Sequence, residues 1–341
     1  MTSPREIEIV GGGLAGLTLG LALRRAGMPV TLFEAGLYPR HRVCGEFISG
    51  LGPDTIERLG LAPFLADAGR LTRVEWFAGG RPVQRQNLPA PALALSRHAL
   101  DARLAAAFTA AGGMLRTGTR TNPVATPAGR VFATGRRRGV SPWLGLKLHA
   151  RGLPLTGELE FHLGRDAYVG LCPVEDGWVN VCGLVRRRPG LAADRTAVLP
   201  AYLTAAGLDG LASRLAAAEI RPESCSAVAG VSFDRVAPAR DRINLGDAFA
   251  MIPPFTGDGM AMALQSAELA LDPLLAWADG SATWPGTVQL VNDRLRRRFR
   301  RRLSVARLLH PFLLSPRRQP WLAGAVRSGC LPLRPIYHML H

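Results

Sequence analysis

The chain has 341 residues, 48% of them hydrophobic and 20% charged, with 38 Gly and 26 Pro spread along its length. That composition is globular, with chain enough for roughly two domains around buried cores, and it excludes a small module or an extended disordered segment. The formal net charge of +16 is almost all arginine, Lys147 being the single lysine; it suits an anionic partner, but no aromatic-rich motif accompanies the clusters Arg136 to Arg138, Arg186 to Arg188 and Arg294 to Arg302, so nucleic acid is not expected.

Met1 to Val10 is polar and alternating rather than a basic-then-apolar leader. The longest apolar runs, such as Leu14 to Leu23, fall short of the roughly 20 residues of a membrane span. The expected location is cytoplasmic, free or peripheral to a membrane. Glu6 to Val10 alternates as a strand, and Gly11-Gly12-Gly13-Leu14-Ala15-Gly16 follows at once. Leu17 to Ala26 reads as a helix closed by Gly27, and Pro29 to Phe33 as a second strand ending in Glu34. This is a βαβ unit with G-x-G-x-x-G at Gly11, Gly13 and Gly16. The first glycine makes the turn, the second lets backbone approach a pyrophosphate, and the third lets helix pack on strand. The pyrophosphate would meet the unpaired N–H groups of the helix start, Leu14 and Ala15 included. Glu34, 18 residues after Gly16, would accept hydrogen bonds from an adenosine ribose, which favours FAD or NAD over NADP.

Next come Pro39-Arg40-His41-Arg42-Val43-Cys44-Gly45-Glu46 and a helix opened by Ser96-Arg97. Period-2 runs follow at 73–78, 82–87, 144–150, 158–163, 167–174 and 178–185, with Glu175-Asp176-Gly177 as a hairpin turn. They predict a mixed or antiparallel sheet inserted into the nucleotide-binding fold. On one of its strands Lys147 and His149 share a face, where they could present two proton donors. Tyr168, Asn180 and Cys182 are pocket candidates by position, and residues 226–233 would return the chain to the first unit. Then Asn244-Leu245-Gly246-Asp247 ends a strand, and a Pro-Gly loop through Gly257, Gly259 and Met260 opens an Ala/Leu-rich helix. Its N–H groups would stabilise a negatively charged reduced flavin. From Thr287 on, apolar residues recur at helical spacing among arginines, with breaks at Pro311 and Pro316. The five cysteines, Cys44, Cys172, Cys182, Cys225 and Cys330, have no C-x-x-C spacing, so neither a disulfide framework nor a metal site is expected.

Three blocks, GGGLAG with Glu34, the Arg42-Val43-Cys44-Gly45 turn, and GDAFAMIPPFTGDGMAMAL, make the chain resemble the FAD-dependent oxidoreductases that include geranylgeranyl reductases, aromatic hydroxylases of the para-hydroxybenzoate hydroxylase type and flavin halogenases. The Cys-Gly turn most resembles the geranylgeranyl-reductase-like branch. The resemblance covers about residues 1–280. It implies an α/β fold with a Rossmann-like FAD-binding domain of the glutathione-reductase kind (1–70, 95–140 and 236–280), an inserted mixed β-sheet substrate domain (71–94 and 141–235) and C-terminal helices (281–341).

It also implies FAD held by Gly11, Gly13, Leu14, Ala15, Gly16, Glu34, Arg42, Cys44, Gly45, Arg97, Asp247, Gly257, Gly259 and Met260. Candidate chemistry falls on Cys44, Glu46, Lys147 and His149, with Glu46 as a general acid. The implied activity is hydride transfer from reduced flavin to a C=C bond of a hydrophobic isoprenoid, lipid or polyketide-like substrate. Hydroxylation of an aromatic or polyketide substrate through oxygen capture at flavin C4a is the alternative, and a non-catalytic FAD-binding protein a third reading. Thr134-Gly135 stands where the hydroxylases carry Asp-Gly, and no second G-x-G-x-x-G unit exists, so the electron donor is NAD(P)H docking transiently or another protein. A W-x-W segment of the halogenase kind is missing. The Arg-rich C-terminal stretch reads either as a solvated helix face or as a surface for anionic membrane.

Overall fold

The computed structural model describes residues 3–121, 126–137, 139–191, 194–233, 240–315, 317–328 and 333–340. Arg138, Pro316, Cys330 and the expected domain break at 235/236 lie outside the described residues.

The strands in chain order are β1 (Ile7–Val10), β2 (Val30–Phe33), β3 (Phe47–Ile48), β4 (Gly69–Ala78), β5 (Arg81–Ala94), β6 (Met114–Arg116), β7 (Arg130–Phe132), β8 (Trp143–Arg151), β9 (Leu159–Gly164), β10 (Ala167–Pro173), β11 (Trp178–Arg186), β12 (Glu219–Ala229) and β13 (Ile243–Asn244). They form two sheets. The first, in the order β13-β7-β1-β2-β6, is parallel throughout. A parallel sheet is covered on both faces, and Ile7, Ile9, Leu32 and Val131 are accordingly buried. The helix Leu14–Arg25 is buried from Leu14 to Leu23 because it lies between this sheet and the helices Arg97–Ala110 and Gly259–Ala278. Ser96 caps the helix Arg97–Ala110, its Oγ accepting from the Ala99 N–H at 3.0 Å.

The second sheet runs β12-β8-β11-β10-β9-β4-β5-β3 and is antiparallel except for the parallel pair β4–β9. The expected hairpin joins β10 to β11, with Asp176 and Gly177 both at positive φ. One face of this sheet, through Leu146, Leu148, Val179 and Val181, packs on Leu199, Leu203, Leu211 and Leu215 of two short helices. The other face turns toward the first unit. Side chains alternate across a strand, so Lys147 and His149 lie on this second face.

Three expectations shift. Phe47–Ile48 was placed with the nucleotide-binding part, but it pairs with Leu93 and Ala94 at the edge of the second sheet. The returning strand begins at Glu219 rather than 226, because a register shift between Arg221 and Ser226 lets it follow β8 for longer. The helix Trp284–Leu314 runs through Pro311. A proline in the last turn forfeits one backbone bond, and the turn buries Leu313 and Leu314 against Tyr168, Leu163 and Leu184.

Candidate active site

The glycine turn divides its labour as the motif requires. A Cβ on Gly11, whose φ is +110°, would lie 2.2 Å from the Ala133 carbonyl oxygen, and one on Gly16 would lie 2.0 Å from the Gly11 oxygen. Both positions therefore serve close packing. A Cβ on Gly13 would meet only Arg97 Nη2, at 3.7 Å. Gly13 precedes a helix whose start has no side-chain cap, so its N–H groups face open space suited to an anion. Leu14 and Ala15 are buried and can contribute only backbone.

Glu34 is buried at the tip of β2. Its Oε2 accepts from the Gly12 N–H and its Oε1 from the Gly36 N–H, both at 2.8 Å. Arg40 and Arg42 approach at 3.1 and 3.5 Å. Burial alone would raise the carboxyl pKa, but Arg42, the backbone donors and Arg40 together hold it below its ordinary value. Arg42 also bonds Asp101 at 3.1 Å, and Arg97 grips Asp101 with two bonds of 2.7 Å. Arg97 thus makes the salt bridge its i,i+4 spacing allows and still stands beside Gly13. Asp247 is exposed to solvent and faces Arg97 and Arg136. Gly257, at φ +72°, has Phe47 where a Cβ would go, at 2.1 Å. The Gly257 carbonyl accepts from the Ser49 N–H, which ties the loop that opens the helix Gly259–Ala278 to β3. Gly259 is half-buried at the helix start; Met260 is buried, so only its backbone can face a ligand. An open glycine, an uncapped helix start and a solvent-facing carboxylate, brought together around Arg97, fit an FAD.

Cys44 and Glu46 come together with Lys147 and His149, more than 100 residues further along the chain. Glu46 is fully buried at φ 56°. Its Oε1 takes Lys147 Nζ at 2.7 Å and the Arg97 N–H at 2.9 Å, and its Oε2 bonds His149 Nε2 at 2.6 Å. Burial opposes the ionised carboxyl, but Lys147 and His149 outweigh it and hold Glu46 below the ordinary range. Glu46 is therefore an acceptor, and the general-acid role expected of it does not fit the geometry. Lys147 and His149, 1% and 2% exposed, aim at this carboxylate rather than at solvent. Cys44 is half-buried. Its thiol accepts from the Glu46 N–H at 3.4 Å and its carbonyl accepts from Asn180 Nδ2 at 3.0 Å. Burial raises the thiol pKa more than Arg97 lowers it, so the thiol stays protonated. Gly45 beside it is exposed. Cys182 is half-buried next to Lys147 in register, and Tyr168, on the same face of the sheet, is buried with its hydroxyl 3.4 Å from His310 Nε2.

Two residues of this cluster were not singled out. His41 Nδ1 stands 3.4 Å from Lys147 Nζ, and its ring stacks on His98 with centroids 4.4 Å apart. Burial and Lys147 push the His41 pKa down to about 3, so its imidazole is neutral. The signal was their adjacency to chosen residues, His41 before Arg42 and His98 after Arg97.

The architecture can be compared with known proteins at this point. Residues 9–46 match the family model described as an NAD(P)-binding Rossmann-like domain. Over 98% of this chain and 96% of the other, the chain superposes on Klebsiella pneumoniae HpxO, solved with FAD and uric acid, with a TM-score of 0.77 at 16% identity. The p-nitrophenol 4-monooxygenase PnpA of Pseudomonas putida gives 0.77 at 14% identity, covering 100% and 97% of the two chains. The chain shares its fold with these two proteins. By sequence, the menaquinone reductase of Mycobacterium tuberculosis is 26% identical over 92% of this chain and 85% of its own length, and that of Mycolicibacterium smegmatis 25% over 93% and 86%. The expectation of an FAD-dependent oxidoreductase accords with the fold, the glycine turn and these relatives together.

Proposed function

We propose that the chain is an FAD-dependent reductase, of the geranylgeranyl-reductase-like branch, acting on a C=C bond of a hydrophobic quinone- or isoprenoid-like molecule. The observation that carries this reading is the placement of the half-buried Cys44 thiol beside the exposed Gly45, held by the Glu46 N–H and, through its carbonyl, by Asn180. Reduction of a C=C bond needs a hydride on one carbon and a proton on the other; the thiol carries that proton, and because burial makes it a weaker acid it releases it only to a carbon on which negative charge builds as the hydride arrives. Bound FAD supplies the hydride chemistry; the protein supplies position and charge. The menaquinone reductases named above support the substrate class.

The chain's residues divide into three tasks. Gly13, Arg97 and Asp247 hold the dinucleotide. Glu34 has its four acceptor positions engaged, and the 3.5 Å contact from Arg42 is the weakest, so it is the one a ribose hydroxyl would displace; Arg42 keeps Asp101. Glu46, Lys147 and His149 fix the 41–46 loop against the second sheet and so place Cys44. They are positioning residues. Electrons come from NAD(P)H docking transiently or from a donor protein.

The test is anaerobic. Dithionite-reduced protein is mixed with a detergent-dispersed menaquinone, and flavin reoxidation and product mass are followed. Reoxidation with a two-hydrogen mass gain that persists after the quinol has been reoxidised in air supports the reading. Reoxidation only in oxygenated buffer, with an oxygen added to a phenolic substrate, would replace it with hydroxylation. Flavin that no acceptor reoxidises would mark a non-catalytic FAD-binding protein.

A further inference from the structure

The helix Trp284–Leu314 has two faces. The inner one carries Val291, Leu295, Phe299, Ala306 and Leu313, all buried. The outer one holds Leu290, Arg297, Arg301, Leu308 and Phe312, which at 100° per residue fall within about 60° of one another around the axis. Leu308 is 72% exposed, Leu290 44% and Phe312 38%. Arg297 and Arg301 are exposed between them. The next helix, Gln319–Arg327, adds Trp321 at 79% exposure and exposed Arg327, and the Arg318 guanidinium lies over the Phe312 ring at 5.3 Å. An arginine-flanked row of aliphatic and aromatic side chains in water is costly unless another surface covers it. Most of the large apolar side chains left exposed in the described residues, Leu290, Leu308, Phe312 and Trp321, lie on these two helices.

We infer that the outer face of Trp284–Leu314, with Trp321, is a docking surface for an anionic lipid bilayer. Charge complementarity selects the occupant. Guanidinium groups attract lipid phosphates, while Leu308, Phe312 and Trp321 enter the boundary between headgroups and acyl chains, where Trp is favoured. Nucleic acid would use the arginines but leave Leu308 exposed. No helix among the described residues is long and apolar enough to cross a membrane, so the contact lies in the plane of the surface. The inner face of the same helix reaches the second sheet, where His310 stacks near Phe255 and Tyr168. The inference gains meaning from a lipid-soluble substrate, but its test needs no turnover.

The full-length protein is floated with vesicles of phosphatidylglycerol and phosphatidylcholine (1:1) or of phosphatidylcholine alone, in low and in high salt. Binding to the anionic vesicles, lost in phosphatidylcholine and weakened by salt, is expected. Arg297→Gln with Arg301→Gln should weaken it roughly thirtyfold, and Leu308→Ser with Phe312→Ser and Trp321→Ser tenfold or more, each with unchanged circular dichroism. The tryptophan emission of the wild type should move to the blue on binding, and Trp321→Ser should remove that shift. Equal binding to both vesicles, or wild-type binding by either variant, overturns the proposal. So does an apolar variant that changes only the oligomeric mass, which would make this face a contact between copies. Binding to duplex DNA that the arginine variant loses and the serine variant keeps, without vesicle binding, would make it a nucleic-acid surface instead.

Discussion

Replacing Glu46 by Gln removes one charge from a fully buried cluster and little volume. The new side chain can still accept from the Arg97 N–H, but Lys147 Nζ, now 2.7 Å from Oε1, loses its counter-charge. Breaking a buried pair from one side costs about 3–5 kcal/mol, and the retained bond puts this case near the lower end. At about 1.4 °C per kcal/mol for 341 residues, the melting temperature should fall by about 4 °C or more. Lys147→Met in the same background removes the stranded cation, and the double variant should be about 1–3 kcal/mol more stable than the sum of the singles requires. Urea unfolding, followed by near-ultraviolet circular dichroism with and without FAD, measures all four species. Acid sharpens the test. Glu46 is held below its ordinary pKa, so its contribution is complete above the unfolded value and is lost as pH falls through the folded one; Glu46→Gln should lack that part of the acid slope. Additive singles, or a Glu46→Gln within about 0.5 kcal/mol of wild type, would show that the cluster does not hold the loop.

Gly13→Val should abolish FAD retention while leaving the apoprotein folded, because a Cβ there meets only the end of Arg97. Gly16→Ala, whose Cβ would sit 2.0 Å from the Gly11 oxygen, should lower stability itself; thermal melts of the apoproteins separate the two. Asp247→Ala should lose flavin at nearly unchanged apoprotein stability, since the carboxylate faces solvent, and normal flavin content would refute its assignment. Cys44→Ala should keep its flavin and flavin reduction but slow reoxidation by a C=C acceptor, and an unchanged rate removes the thiol from the chemistry. His310 is pushed down to about 4 by burial. A base with a lowered folded pKa loses stability as pH falls from its unfolded value near 6.5 toward 4, so His310→Phe should flatten the pH dependence of the melting temperature in that window.

The first βαβ unit was legible because each step of its chemistry is local: a strand, a glycine turn, a helix and Glu34 stand within 30 residues. The second sheet was legible as alternation, which put Lys147 and His149 on one face. What alternation does not encode is what that face meets. A solvent-facing pair and a buried pair have the same period, and only the long-range approach of the 41–46 loop decides between them. Glu46 was misread for the same reason: a carboxyl after a Cys-Gly turn looks like an acid until three donors are found around it. His41 and His98 became visible only when the loop and the helix start were stacked. Pro311 misled because a breaker's effect depends on how many turns remain after it.

The Glu46 carboxylate joins segments whose partners are 51, 101 and 103 residues away along the chain. Such contacts form only after the intervening strands have been drawn in, and closing loops of that length is slow compared with forming a helix. The region around Cys44 should therefore be completed late in folding, after the βαβ unit has closed on itself. A nascent or partly unfolded chain could then offer the glycine turn to a nucleotide before it has a finished place for substrate. Hydrogen exchange should find the Glu46 amide protected only as long as β8 keeps its pairing with β11, making that amide a reporter of docking between two parts of the chain.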